Sequence, residues 1–465
     1  MQVSISKLRP LLPSIITLLF ANLFWILSAW PGILSPDSID TWNQIQRREF
    51  SNWHPMIFQA YVFVFSLGGK SIGIYSCIQV LIVSYTIYSL FGAILPTFCT
   101  RTKIWLTSII VFTPFVGQMS MQVWKDIPFA VYSLLGLSII GRNIEKRTSF
   151  VLGISFFLFG ASFRHEGLAN VAIFLVGVAI FLRLRKTDPK ITKISGPEKK
   201  FRSLATLASF SFFIILIPNS LNTISDAIDR PTWVSDTSFL HDLGYSIQNN
   251  PESFLDTNRK EIEMILSGDS FEGAKVCSSI DPMIYSEGFR PGAISENQID
   301  VKEIWLKNIS HAWNDYFYVR WCSAKAFLPF PLQLWMNPIQ EREKWKVEWL
   351  GWGVAENSNG IVEKPLVNSV AKINYWWRGM FGELGGLIAW PGLHFTFILF
   401  CRLLLRKRFD FNIVFDLMLI WVTSRHILFS IAGQAPGYRY LFITHVLSLL
   451  LIGNLIGNKQ GNPKN

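Results

Sequence analysis

The sequence predicts an all-α polytopic membrane protein with about ten transmembrane helices. Three observations support this prediction. Half of the 465 residues are hydrophobic and only 16% are charged, fewer charges than a soluble surface needs. Long apolar stretches recur along the chain. The basic residues cluster in short loops beside these stretches. The net charge of +11 is therefore better explained by membrane orientation and anionic headgroups than by nucleic-acid binding.

The predicted spans follow the apolar stretches in chain order. Several are shorter than the ~20 residues that cross a bilayer, so they extend into polar sequence or lie inside the bundle. Residues 56–68 are too short for a span, and we expect an interfacial or re-entrant helix there. The spans are 10–30, 72–95, 103–119, 127–141, 149–163, 167–184, 203–221, 384–404, 411–431 and 438–457.

The basic loops determine the predicted orientation. If 56–68 does not cross, all of them lie on one side, which the positive-inside rule assigns to the cytoplasm. Both termini are then cytoplasmic, and the polar motifs face the outside of a bacterial inner (plasma) membrane. The basic groups are Lys7 and Arg9, Arg101 and Lys103, Arg142 to Arg147, Arg183 to Arg202, Arg402 to Arg408, and Lys459 and Lys464.

Polar segments divide the chain into three predicted parts. An N-terminal transmembrane module covers 1–221 and includes a first outer loop at 31–70. A mostly helical extracytoplasmic domain covers 222–383, between the seventh and eighth spans, and a C-terminal transmembrane module covers 384–465. Cys277 and Cys322 both fall in the outer domain, where they form either a disulfide or two structural thiols.

The first outer loop carries two acidic residues and a histidine. Ser35 and Pro36 read as the N-cap and first residue of a helix, which places Asp37 and Asp40 three apart on one face. These acids either complement the positive helix end or supply a general base for an acceptor hydroxyl. His54 precedes a proline and can bind phosphate, stack on Trp or simply cap the next helix.

Two further outer loops are short and charged. Lys125 and Asp126 are either interfacial charges or part of a phosphate or sugar site. Arg164, His165 and Glu166 separate two apolar stretches, where ionisable groups are costly unless they pair or bind a ligand. The planar donors of Arg164 match two phosphate oxygens, and Glu166 is either part of the same binding site or simply the salt-bridge partner of Arg164.

The last outer loop and the ninth span add a few charged residues. Arg439 lies on the outer side, against the positive-inside bias, so we expect an anionic partner for it. Arg425 and His426 either face the same cavity or pair locally. With Asp416 they are the ionisable candidates within a span.

In their order along the chain, these motifs resemble the GT-C fold of integral-membrane glycosyltransferases. The likeness is to the protein-mannosyltransferase and lipid-A-aminoarabinose-transferase types and to bacterial members without assigned substrates. In that pattern an Asp follows the first span, as Asp37 does, and a His-Pro opens a juxtamembrane helix, as His54 and Pro55 do. A second acid follows the third span after a proline, as Asp126 follows Pro114.

The match is incomplete. It covers about the first 170 residues and loosely the last 30, while the outer domain matches nothing we can name. The first outer loop is short and lacks the usual Asp-Glu pair, so the choice between Asp37 and Asp40 stays open.

The resemblance implies transfer of a sugar from a polyprenyl-phosphate donor to an extracytoplasmic glycan, lipid or protein. Asp37 would accept the proton of the acceptor. Arg164, with Lys125 or Arg439, would stabilise the leaving lipid phosphate. No cofactor is implied; a divalent cation would fit between Asp37 and Asp126, but the closest family types act without one.

Three alternatives fit the same sequence less fully. An O-antigen ligase or polymerase also uses lipid-linked sugars, and its chemistry depends on Arg and His. A flippase or sugar transporter needs ionisable residues along a path at mid-membrane, whereas the conspicuous charges here lie at helix ends. A purely structural membrane protein leaves the order of the motifs unexplained.

Overall fold

The fold is helical throughout the residues described by the computed structural model. These are 9–34, 36–50, 54–142, 146–186, 236–254, 256–277, 280–284, 286–325, 391–404, 413–432 and 442–458. Within these ranges there is no β-strand, only isolated bridges such as that between Ile33 and Gln122. The all-α prediction is thus confirmed.

The helices follow the predicted order. They are α1 Leu12–Ser28, α2 Pro36–Arg47, α3 Met56–Phe65, α4 Ile72–Ile94, α5 Thr100–Phe112, α6 Pro114–Ser120, α7 Asp126–Arg142, α8 Arg147–Ala161, α9 Gly167–Lys186, α10 Thr237–Asn249, α11 Asp256–Ile265, α12 Asp269–Ala274, α13 Asp281–Ile284, α14 Gly292–Glu296, α15 Val301–Ile309, α16 Trp313–Lys325, α17 Pro391–Leu404, α18 Ile413–Ala432 and α19 Phe442–Asn458. Each predicted span overlaps a helix except 203–221, which lies outside the described residues.

The third predicted span is divided into two helices. Thr113 adopts an extended conformation between α5 and α6, with φ −60° and ψ 137°. Proline disfavours helical geometry in the residue before it and cannot donate an amide hydrogen bond, so Pro114 ends one helix and begins the next. The short helix α6 thereby leads into the loop that carries Lys125 and Asp126.

The lengths and compositions of the helices give weaker support for the predicted number of membrane spans than their order does. Among the described helices, α4 is the one that is both long and apolar enough to cross a membrane. The ten residues of α3 extend about 15 Å, half of a hydrocarbon core, so this helix is too short to span. The number of spans remains a prediction. Shorter apolar helices are Leu12–Ser28, Met56–Phe65, Arg147–Ala161, Gly167–Phe181 and Leu393–Leu403.

A single hydrophobic cluster joins the helices between α1 and α9 to α17, α18 and α19. Close backbone contact between α7 and α8 depends on glycine, because a Cβ on Gly136 would lie 2.4 Å from the carbonyl oxygen of Gly153. Trp421 of α18 packs between Phe157 of α8 and Phe174 of α9, at ring-centroid distances of 4.7 and 5.5 Å. This packing holds α18 against the N-terminal helices.

A second hydrophobic cluster forms between residues 240 and 304. It belongs to the segment that the sequence assigns to an outer domain, although the predicted boundaries at 221 and 383 lie outside the described residues. Of the two alternatives that the sequence left open for Cys277 and Cys322, the structure has the disulfide, with a Cα–Cα distance of 5.8 Å. The disulfide ties this cluster to α16, which also contacts α18.

Candidate functional site

The candidate residues meet where several loops pack together at one end of the helix bundle. The loop before α7 is held by backbone pairing with the segment after α1. The amide of Ile33 donates to the carbonyl of Met121 at 2.9 Å, and the amide of Val123 donates to the carbonyl of Ile33 at 3.1 Å. Buried Gln79 of α4 donates to two carbonyls of the same loop, each at 2.7 Å. Ser38 of α2 donates to the carbonyl of Val123 at 2.7 Å.

Helix α2 presents its two acids in different environments. Asp37 in the first turn is half-buried, whereas Asp40 is exposed and accepts a 2.6 Å hydrogen bond from Gln44. Partial burial raises the pKa of Asp40 more than the Gln44 bond lowers it, and the charge of Asp37 raises it further. The predicted N-cap, Ser35, lies outside the described residues.

His54 connects α2 to the loop before α7. Its Nε2 lies 3.3 Å from the backbone carbonyl oxygen of Asp37, and its Nδ1 lies 3.2 Å from Nζ of Lys125. An ammonium group can only donate, so Nδ1 is the acceptor and the ring proton is assigned to Nε2. His54 is buried, and it contacts the backbone of Asp37. This arrangement favours a positioning role for the histidine.

A series of ion pairs begins at Asp126, the residue after Lys125. Nη1 of Arg164 donates to Oδ1 of Asp126, and Nε of Arg164 donates to Oε1 of Glu166. Nη2 of Arg425 lies 3.3 Å from the same Oε1. Arg425 is fully buried in α18, with its guanidinium carbon 4.6 Å from the ring centroid of Phe129. These side chains therefore link α7 to α18 through the loop between α8 and α9.

The balance of charge in this cluster favours an anion. Burial by itself would raise the pKa of Glu166, but the charges of Arg164, Arg425 and Lys125 outweigh it and hold this pKa well below the usual range. Glu166 is therefore ionised at neutral pH. Among the described side chains that these contacts join, three are cations, Lys125, Arg164 and Arg425, and two are carboxylates, Asp126 and Glu166, so this set of five carries one more positive than negative charge. A phosphate oxygen is a suitable counterion.

The structure brings together most of the residues predicted from the sequence. Continuous contacts join the start of α2 to α18 through His54, Lys125, the Asp126–Arg164 pair and Glu166. His165 lies in the same loop with an exposed side chain. Arg439 lies outside the described residues, so its role remains a prediction.

The three ionisable residues of the ninth predicted span make different contacts. Arg425 joins the site, and the signal for this was a lone arginine near the outer end of an apolar helix. His426 instead pairs locally, with Nδ1 2.9 Å from the carbonyl oxygen of Val422. Asp416, at the opposite end of α18, forms an ion pair with Arg402 at 2.6 Å.

Metal binding finds no support in the residue arrangement. Over the described ranges, no group of three or more His, Cys, Asp or Glu side chains is placed to hold a metal ion. Asp126, one of the two acids considered for a cation, is instead paired with Arg164.

Similarity to known proteins adds nothing to this picture. Comparison with protein-family models, with curated proteins and with solved structures yields no significant match. Any assignment of function must therefore be argued from the site itself.

Proposed function

We propose that this chain is a GT-C-type membrane glycosyltransferase that moves a sugar from a polyprenyl-phosphate donor to an extracytoplasmic glycan, lipid or protein. The observation that carries the proposal is the contact chain from α2 to α18. It places a helix start bearing Asp37 beside a buried cluster with one positive charge in excess. An acid near a surplus of fixed cations is what a base-assisted transfer from a phosphate donor requires.

Membrane insertion in the predicted orientation is part of the proposal. In its support, α1 exposes an apolar stripe of Leu12, Ile16, Leu19 and Leu23, each more than half exposed. Such a stripe needs lipid or protein to cover it. The Cys277–Cys322 disulfide suits an oxidising compartment, in agreement with an outer location for this segment. Ten spans, cytoplasmic termini and a site facing outward follow from the positive-inside argument.

The proposed reaction assigns a role to each group. Asp37 accepts the proton of an acceptor hydroxyl as its oxygen bonds to the anomeric carbon, and the bond from that carbon to the phosphate oxygen breaks with inversion. Arg164 and Lys125 stabilise the charge that develops on the leaving lipid phosphate. Asp126 positions Arg164, and His54 positions Lys125 relative to α2.

A ligase or polymerase of the O-antigen type is the second candidate. It is favoured by one observation, that His54 contacts the backbone carbonyl of Asp37 while the Arg, Lys and His side chains form a connected cluster. In that reaction the cations and His54 would carry the chemistry, and Asp37 would be dispensable.

Mass spectrometry of lipid-linked sugars and envelope glycans tests the proposal. Cells without the gene should accumulate a polyprenyl-phosphate sugar and lose one glycan decoration, and the wild-type gene should restore both. Neither Asp37→Asn nor Arg164→Gln should restore them, whereas Arg259→Gln, at an exposed surface pair, should. Restoration by Asp37→Asn but not by Arg164→Gln would favour the ligase. An unchanged profile in the deletion strain would contradict both candidates.

A further inference from the structure

Glu166 occupies an unusual position for a salt-bridge partner. One oxygen of its carboxylate, Oε1, accepts from Nε of Arg164 and lies 3.3 Å from Nη2 of Arg425. The charge of Lys125 acts on the same carboxylate. An oxyanion held between two guanidinium groups has the geometry that these groups also offer to a phosphate oxygen.

The two carboxylates of the cluster differ in how firmly they are held. The side chain of Asp126 is 4% exposed, and Asp126 is the first residue of α7. The side chain of Glu166 is 32% exposed, longer, and part of the short loop between α8 and α9. A partly exposed carboxylate regains its hydration when it turns outward, whereas a fully buried one must first break its packing. Glu166 is therefore the member of the cluster that can leave.

A buried amide lies at the same level of the bundle. Asn170 is fully buried, and among the described residues neither its side-chain oxygen nor its side-chain nitrogen has a hydrogen-bond partner. It stands one turn before Phe174, whose ring packs on Trp421, and Arg425 stands one turn after Trp421. Because α9 begins and α18 ends at the site, Asn170 and Arg425 are level with each other. The amide group can donate to an anion that enters there.

We propose that Glu166 is a displaceable carboxylate, whose position between Arg164 and Arg425 is taken by the phosphate group of a ligand, with Asn170 as an additional donor. Departure of Glu166 removes one negative charge from between Arg164 and Arg425. A phosphate monoester carries close to two negative charges, and a phosphodiester carries one. The opened cluster thus matches the leaving lipid phosphate better than the intact donor, and the return of Glu166 helps to expel it. The lipid identity rests on the proposed function; phosphate binding does not.

Calorimetric titration of the purified full chain in detergent micelles tests this inference. One arm uses inorganic phosphate and the other uses farnesyl phosphate as probe. Glu166→Gln keeps the shape of the side chain but removes the competing charge, so it should bind inorganic phosphate about tenfold more tightly than wild type. Arg425→Gln in the same background should abolish the gain. Glu263→Gln, at the exposed Arg259 pair, should leave the affinity unchanged.

Each outcome decides the matter. Weaker or equal phosphate binding by Glu166→Gln would show that Glu166 is a fixed scaffold and would overturn the inference. If that variant misfolds, Glu166→Asp serves instead, because it keeps the charge but cannot reach both arginines. It should bind inorganic phosphate about threefold more tightly than wild type, and the absence of this gain would also overturn the inference. A tighter fit for farnesyl phosphate in every variant identifies a lipid headgroup, and equal affinities identify a free phosphate. A binding gain together with an unchanged glycan profile would retain the displaceable carboxylate and reject glycosyl transfer.

Discussion

Two buried arginines of this protein are held by carboxylates in very different ways. Arg320 of α16 donates through Nη2 to both carboxylate oxygens of Asp242, at 2.6 Å for Oδ2, and Trp305 donates to the same oxygen at 3.1 Å. Arg164 instead pairs with two carboxylates, Asp126 and Glu166, and it shares Glu166 with Arg425 and with the charge of Lys125. The Arg320 cluster has one cation for one anion, and the Arg164 cluster has three for two.

This difference separates a structural ion pair from a candidate ligand site. Arg164 and Arg320 are equally buried, so burial cannot distinguish them. In the Arg320 cluster Asp242 is almost inaccessible, and both of its carboxylate oxygens accept hydrogen bonds from Arg320 or Trp305. In the Arg164 cluster three described cations surround two carboxylates, and Glu166 is partly exposed. Excess charge, rather than burial, is the more informative sign of function here.

The largest expected effect is on the Arg320 cluster. Asp242→Ala leaves a buried guanidinium without its counterion and should lower local stability by about 3–5 kcal/mol. Hydrogen–deuterium exchange should show lost protection in Thr237–Asn249 and Trp313–Lys325 but unchanged protection in Asp126–Arg142. Glu263→Ala, which breaks the exposed pair with Arg259, should cost less than about 1 kcal/mol. Equal effects of the two variants would contradict a structural role for Asp242.

Next in size is the loss of transfer in Arg164→Gln. Removing one donor to a developing oxyanion typically costs about 10²–10³ in rate, so sugar transfer in membrane vesicles should fall by that factor. Hydrogen exchange in the Arg320 cluster should not change. Full transfer activity in this variant would place the Arg164 cluster in the same structural class as the Arg320 cluster.

The third prediction concerns pH and the Arg320 cluster. Burial and the nearby Arg320 charge together lower the pKa of His241 to about 4, although its Nε2 lies 3.2 Å from the carbonyl oxygen of Val276, a contact that raises this pKa. The unfolded chain has the higher pKa, about 6.5, so it binds the extra proton between pH 6.5 and 4. The contribution of neutral His241 to the free energy of unfolding is therefore complete above pH 6.5 and is lost as the pH falls.

At pH 4 the loss should reach about 3 kcal/mol relative to pH 7. Exchange protection of Thr237–Asn249, compared between wild type and His241→Gln at both pH values, measures it. The variant should lack the part of the pH dependence that comes from protonation of His241. The part that comes from titration of Asp242 should remain. Identical pH profiles would exclude His241 as its source.

The smallest expected effect tests the choice of base. Asp40 is exposed and already accepts a hydrogen bond from Gln44, so Asp40→Asn should change the transfer rate by less than about threefold. The same vesicle assay measures it, with Asp37→Asn as the matched comparison. A loss with Asp40→Asn that equals the loss with Asp37→Asn would move the base to Asp40, whose pKa burial raises.

Particular residues show how far the sequence could be interpreted. The order of the helices was predictable, because apolar stretches and basic loops alternate. The division at Thr113 was not predicted. The grouping of His54, Lys125, Asp126, Arg164 and Glu166 at one side was predicted from the loops that carry them. For Arg425 the sequence allowed two interpretations, a place at the site or a local pair, because a sequence does not show which face of an apolar helix packs on which neighbour.

The sequence by itself determined the helical class, the order of the helices and the side on which charged loops gather, since these depend on hydropathy and charge that are local to each stretch. Tertiary structure alone decided which carboxylate pairs with which arginine. Partners such as Glu166 and Arg425 are 259 residues apart, and they meet only because Trp421 packs α18 against α8 and α9. The excess charge that favours an anion is a property of that packing and cannot be attributed to any single motif.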